Sequence, residues 1–274
     1  MASMGWMHFV ATVPLPVTVG IIVAVCVIVP CLAVWGVRRL WPYPAFKENN
    51  EIVGFTYAVF GLIYGVLLAF TIIVAWERFS ETERNTIRET TVLSEMWRDA
   101  QAFDSVTSDD IHKTLQAYAE SVIRDEWAEM AARGQEHPKT RKIYAQLWQQ
   151  SYKLQPQGKL QEAYLTEYLR DINELSATRR MRILYSRTEI HSILWLILFV
   201  GAIPTVVYSL LFANRHAWVQ ITITTFIMLI VLLSLLVALS LQYPFTGEVS
   251  ITPEAFQNLQ ESFRQRVLEA GTAH

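Results

Sequence analysis

Four runs of this chain, residues 14–36, 53–75, 192–213 and 217–241, contain no charged side chain. Each reaches the roughly 20 residues that a helix needs to cross about 30 Å of hydrocarbon. No other feature limits the fold as strongly. The 274 residues are 52% hydrophobic and 18% charged, with a mean hydropathy of +0.25, an apolar excess that a water-facing surface does not accommodate. The expected fold is an all-α membrane protein with four transmembrane helices and a soluble helical domain inserted between the second and third.

The ends of the runs carry amphipathic rings suited to headgroup level. Trp35, Trp41 and Tyr43 follow the first and Trp76 follows the second. Trp195 lies early in the third, Trp218 opens the fourth and Tyr243 closes it. The first run is expected to be a retained membrane helix and not a signal peptide, because residues 1–13 hold no Lys or Arg and the run exceeds a usual signal core.

The expected organisation is residues 1–76 for the first two membrane helices, 77–190 for the soluble domain, 191–241 for the last two spans and 242–274 for a C-terminal tail with a short helix. After Trp76 no Gly or Pro interrupts the sequence as far as Ala100, so the second span is expected to continue unbroken beyond the membrane. Asp104 to Asp110 supply N-cap candidates for a helix carrying Ile111, Leu115, Tyr118, Val122, Trp127 and Met130, which Gly134 and Pro138 end. A further helix carries Ile143, Tyr144, Leu147, Trp148 and Tyr152. Another carries Leu160, Tyr164, Ile172 and Leu175 and is expected to run through an Arg-rich stretch directly into the third span. In the tail, Thr252, Pro253 and Glu254 read as N-cap, N1 and first-turn acid.

The second span is the informative one. At about 100° per residue, Gly54, Ala58, Gly61, Gly65 and Ala69 share a narrow stripe that permits close helix approach. A second stripe holds Tyr57, Tyr64 and Thr71 at heptad spacing, with Phe60 beside it, and continues to Arg78 at the membrane edge near Glu77 and Glu81. Such hydroxyls either line a water-filled path or bond to neighbouring helices. Several copies around an axis would turn the stripe into rings of pore-lining residues with a charged mouth.

Other chemistries find little support. No Asp, Glu, Lys, Arg or His lies in the middle of a span, which disfavours proton-coupled pumping. The six histidines are scattered, and no HExxH, Gly-rich phosphate loop, GxSxG or CxxC occurs, so no enzyme, cofactor or metal site is expected. Cys26 and Cys31, five residues apart in the first span, point to different faces and form no disulfide framework. A net charge of −2 names no nucleic-acid partner. Charge on the short loops, Arg38, Arg39, Lys47 and Arg215, leans toward a soluble domain outside the cell. Local density at Arg78, Arg84, Arg88, Arg179, Arg180, Arg182 and Arg187 leans inward.

Three strings together resemble the bacterial bestrophin-like membrane proteins: GFTYAVFGLIYGVLLAFTIIVAWERFSETE from Gly54, the Arg-rich run before LWLILFVGA at Leu194, and YPFTGEVSITPEAF from Tyr243. The resemblance covers most of the chain. It implies a four-span homo-oligomer in the bacterial inner membrane, with both termini and the helical domain in the cytoplasm, overriding the charge lean. It also implies an anion-leaning channel for small ions whose second membrane helix lines the pore, with Phe60 and Tyr64 as neck candidates. No acidic cluster suited to clasping calcium is apparent in the sequence. The competing reading is a non-conducting adaptor whose helical domain binds a partner and whose spans anchor it in the lipid bilayer.

Overall fold

The computed structural model describes residues 5–40, 50–187, 190–212 and 214–272. Trp41, Tyr43, Lys47 and His274, and the last residue of the third apolar run, Ala213, lie outside the described residues. The described chain is helical without strands. Its elements are α1 (Gly5–Thr12), α2 (Leu15–Leu40), α3 (Asn50–Ala100), α4 (Ser105–Ser121), a π-helical turn (Val122–Glu126), α5 (Trp127–Arg133), α6 (Pro138–Ser151), α7 (Lys159–Arg187), α8 (Ser192–Leu210), α9 (Ala217–Gln242) and α10 (Glu254–Thr272). α2, the first half of α3, α8 and α9 are long and apolar enough to cross a membrane.

The chain divides into two compact units, the first comprising Met1–Glu77, Glu189–Tyr243 and Gly247–Val249. Within it α2 packs along α9, and α8 packs on α9. Cys26, Pro30 and Val34 face inward at four-residue spacing while Cys31 is exposed, as the helical period requires. Ser209 Oγ and Thr224 Oγ1 join α8 to α9 at 3.0 Å. Interhelical hydroxyl bonds of this kind hold spans together where lipid supplies no hydrophobic drive. Arg38 closes the α8–α9 turn, donating to the carbonyl of Asn214 at 2.5 Å and to Gln220 Oε1 at 3.2 Å. Trp35, Trp76 and Trp218 are exposed, as headgroup anchors must be, but Trp195 and Tyr243 are buried. Trp195 donates to Gln242 Oε1 at 2.6 Å and stacks on Phe199, while Tyr243 meets the His8 ring edge-on. Satisfying the indole N–H internally removes the reason for it to sit at the membrane surface.

The second unit comprises Arg78–Thr188, Pro244–Thr246 and Ser250–His274. The second half of α3 supplies Val92, Leu93, Met96 and Trp97 to its core, α4 supplies Ile111, Leu115 and Tyr118, and α7 supplies Tyr168, Ile172 and Leu175. Asp104 caps α4, accepting from Thr107 N at 3.0 Å. Gly134 closes α5 in the left-handed region (φ 61°), where a Cβ would lie 2.8 Å from the Ser186 carbonyl oxygen. The five-residue gap between Val122 and Trp127, one longer than an α-helical turn favours, is absorbed by the π turn, so that Glu126 and Trp127 both face the interior.

Three expectations are corrected. α7 does not run unbroken into the third span: His191 is extended (φ −57°, ψ 131°) and caps α8, its ring accepting from Ile193 N. Leu160, Tyr164 and Tyr152, expected on apolar faces, are exposed, the last because α6 ends at Ser151. The final helix is 19 residues long and no appendage, since Phe256 and Phe263 are wholly buried in the core of the second unit.

Candidate pore-lining helix

α3 runs unbroken for 51 residues, about 75 Å at 1.5 Å per residue. In its apolar half the described residues bury one face, that of Tyr64, Leu68, Thr71 and Ala75. The neighbour is α8, antiparallel to it. Tyr57 meets Phe212 edge-on at 5.6 Å between ring centroids, Phe60 meets Tyr208 at 5.4 Å, and the Tyr64 ring fills the space beside Gly201. A Cβ on Gly201 would lie 2.7 Å from Tyr64 Cδ2.

The hydroxyl stripe of the sequence therefore divides. Tyr64 and Thr71 turn inward, and Tyr57 is half-buried; Thr71 Oγ1 donates to its own helix at the Leu67 carbonyl, 2.9 Å away. Phe60 is 44% exposed. It heads a ridge of exposed apolar side chains, Phe60, Ile63, Leu67, Phe70 and Val74, at alternating three- and four-residue spacing. On another face the small residues Ala58, Gly65 and Ala69 are exposed, Gly54 and Gly61 are half-buried, and nothing lies within 4 Å of a Cβ placed on Gly61 or Gly65. Glu77, Arg78 and Glu81 are exposed where the apolar stretch ends.

Sequence reasoning did not find the polar heart of the second unit. Arg182 is wholly buried and donates to Glu89 at 2.7 and 3.1 Å and to Glu126 at 2.8 Å. Arg179 donates to Glu126 at 2.8 Å and to Glu136 at 3.1 Å, and Tyr118 OH donates to Glu89 at 2.7 Å. Burial alone would lower the pKa of Arg182, but Glu89 and Glu126 outweigh it and hold the group well above its ordinary range. Burial, then Glu89, likewise raises Tyr118, which stays a donor. The arrangement ties α3 to the π turn and α7. Arg179 and Arg182, counted in the sequence among membrane-proximal charges, are internal ion-pair partners. Among the described residues no cluster of three or more His, Cys, Asp or Glu is placed to hold a metal ion.

The Bestrophin-like domain family matches residues 24–256. No curated protein matches the chain. Among solved structures, two single-residue variants of a bacterial bestrophin homologue from Klebsiella pneumoniae are similar in fold. One has a TM-score of 0.66 at 15% identity, covering 89% of this chain and 98% of that one. The other has a TM-score of 0.66 at 16% identity, covering 89% and 97%. A structure described only as a membrane protein variant matches with a TM-score of 0.67 at 15% identity, covering 89% and 97%.

Proposed function

The chain belongs to the Bestrophin-like family, and from that premise we propose that it is a homo-oligomeric channel conducting small ions passively, anions before cations, along a pore lined by α3. The observation that carries this reading is the exposed ridge from Phe60 to Val74, an apolar face of a membrane helix that none of the described residues covers. The small-residue stripe of Gly54, Ala58, Gly61, Gly65 and Ala69 lies on the opposite side of the helix from the ridge, and open space over Gly61 and Gly65 there admits the close approach of a helix from a second copy. With copies arranged about an axis, the ridge becomes stacked apolar rings. Such constrictions control conduction by wetting and dewetting.

In this assignment Phe60 keeps the neck role that the family resemblance implies, joined by Ile63, Leu67, Phe70 and Val74. Tyr57, Tyr64 and Thr71 hold α3 against its own neighbours in the resting arrangement. Arg78 sets the potential at one mouth, with Glu77 and Glu81 tempering it. In this reading the protein sits in a bacterial inner membrane with the second unit and both termini in the cytoplasm, as membership of the family implies.

Purified protein reconstituted in a planar bilayer under asymmetric salt tests this directly. The expected result is a current whose reversal potential lies toward the anion equilibrium potential and moves toward the cation side in Arg78→Glu. Silence at all voltages, from intact and oligomeric protein, overturns it in favour of an adaptor.

A further inference from the structure

The second unit carries a polar cleft of about 210 Å³ between α4 and α10, lined by Gln116, Glu120, Arg124, Gln260 and Arg264. Its walls follow from the aromatic layer beneath. Phe256 meets Trp127 edge-on, and Phe263 stacks on Trp97, which itself stacks on His112. Trp127 follows α4 and His112 lies near its start, so α10 runs antiparallel to α4. Four-residue steps then line up Gln116, Glu120 and Arg124 along one wall and Gln260 and Arg264 along the other. The opposed directions put Arg264 toward the Gln116 end and Gln260 toward the Arg124 end.

The charges of the cleft alternate in sign and are only partly used. Arg124 Nη1 donates to Glu120 Oε1 at 2.9 Å, which leaves Glu120 Oε2 open. Arg264 Nη1 stands 3.8 Å from Glu261 Oε2, too far for a hydrogen bond. The Gln116 and Gln260 amides make no hydrogen bond among the described residues. Two arginines set against Glu120 and Glu261 leave the cleft and its rim with no net charge. A simple anion gains little from such a field, whereas a molecule carrying both signs finds a partner for each.

We propose that this cleft binds a small zwitterion of the free amino acid class, its carboxylate on the Arg264 guanidinium and its ammonium on Glu120. The planar fork of Arg264 offers a carboxylate two parallel N–H donors. The ammonium takes up the Glu120 oxygen that Arg124 leaves open, and the two amides, each both donor and acceptor, flank the ends. Bound there, the ligand bridges α4 to α10. The site lies within the second unit, and its test reads binding and not current.

Equilibrium dialysis of the purified, detergent-solubilised protein against a panel of radiolabelled free amino acids is the test, with acetate, inorganic phosphate and ethylammonium as probes of a single sign. The expected result is saturable binding of at least one amino acid, about 5- to 10-fold tighter than any single-sign probe. Arg264→Gln and Glu120→Gln, both at exposed positions, are each expected to weaken that binding by about the same factor while the protein stays monodisperse. Glu120→Gln is also expected to bind acetate more tightly than the wild type does, because the like charge is gone. Absence of saturable amino acid binding overturns the proposal. Acetate or phosphate binding as tightly as the best amino acid overturns it in favour of a plain anion site, and amino acid binding unchanged in both variants overturns it by placing the ligand elsewhere.

Discussion

Arg182 and Glu89 meet through two hydrogen bonds, 2.7 and 3.1 Å long, with neither side chain reaching solvent. The partners are 93 residues apart in sequence, and Glu126, at 2.8 Å, shares the same guanidinium. A buried pair adds little over a well-packed apolar replacement, but removing one member leaves a charge uncompensated. Arg182→Ala is therefore expected to cost about 3–5 kcal/mol. Glu89→Gln alone should cost less, because the amide still accepts from Arg182 and Tyr118. Thermal unfolding in detergent, followed by loss of the monodisperse oligomer peak, measures both. Equal stability of Arg182→Ala and wild type would show the cluster to be dispensable.

Asp171 is buried on α7; its Oδ1 makes no hydrogen bond and lies 3.6 Å from Arg170 Nε. Burial first, then Glu95 and Asp99 of α3, push its pKa from 3.8 up to about 6, with Arg170 pulling the other way and Glu167 adding to the rise. Between about 4 and about 6 the folded chain thus holds a proton that the unfolded chain has lost. The stability tied to this group is complete below that window and declines as pH rises through it. Melting temperatures of wild type and Asp171→Asn across the window are expected to diverge as pH rises, the variant becoming the more stable. Parallel curves would contradict this.

Gly134 ends α5 at φ 61°, with the Ser186 carbonyl oxygen 2.8 Å from where a Cβ would stand. Gly134→Ala should cost about 1–2 kcal/mol from the left-handed backbone alone, and more from the contact. A melting temperature unchanged in this variant would refute the reading.

Phe256 on α10 is wholly buried, meets Trp127 edge-on at 6.1 Å and lies under the Arg182 guanidinium at 5.6 Å. Phe256→Ala is expected to destabilise the second unit by about 3–5 kcal/mol. Protease resistance of that unit, assayed in the intact protein, is the measurement; undiminished resistance would mean that α10 contributes no core.

The elements whose signals are local were legible in the sequence. The four apolar helices follow from uncharged length, the unbroken α3 from the absence of Gly and Pro, and the α5 stop from Gly134. Even the π turn left a trace in the five-residue step from Val122 to Trp127. What was hidden depends on partners distant in the chain. A wheel places Tyr64 and Phe60 about 40° apart but does not say which direction α8 covers; that is decided by Gly201, 137 positions further on, whose missing side chain admits the Tyr64 ring. Arg179 and Arg182 resemble surface charge until Glu89 and Glu126 are brought to them by the fold. Trp195 looks like a membrane anchor until Gln242 accepts its N–H.

The claim that α3 presents its Phe60 to Val74 ridge to a permeation path is tested most directly by single cysteines in a background lacking Cys26 and Cys31. Phe60→Cys, Ile63→Cys, Leu67→Cys, Phe70→Cys and Val74→Cys are compared with Leu62→Cys and Ile73→Cys, which are exposed on a different face of the same helix. A charged thiol reagent should reduce current at the ridge positions and leave the other two unaffected. Block at Leu62→Cys and Ile73→Cys with none along the ridge would place the path elsewhere and contradict the account.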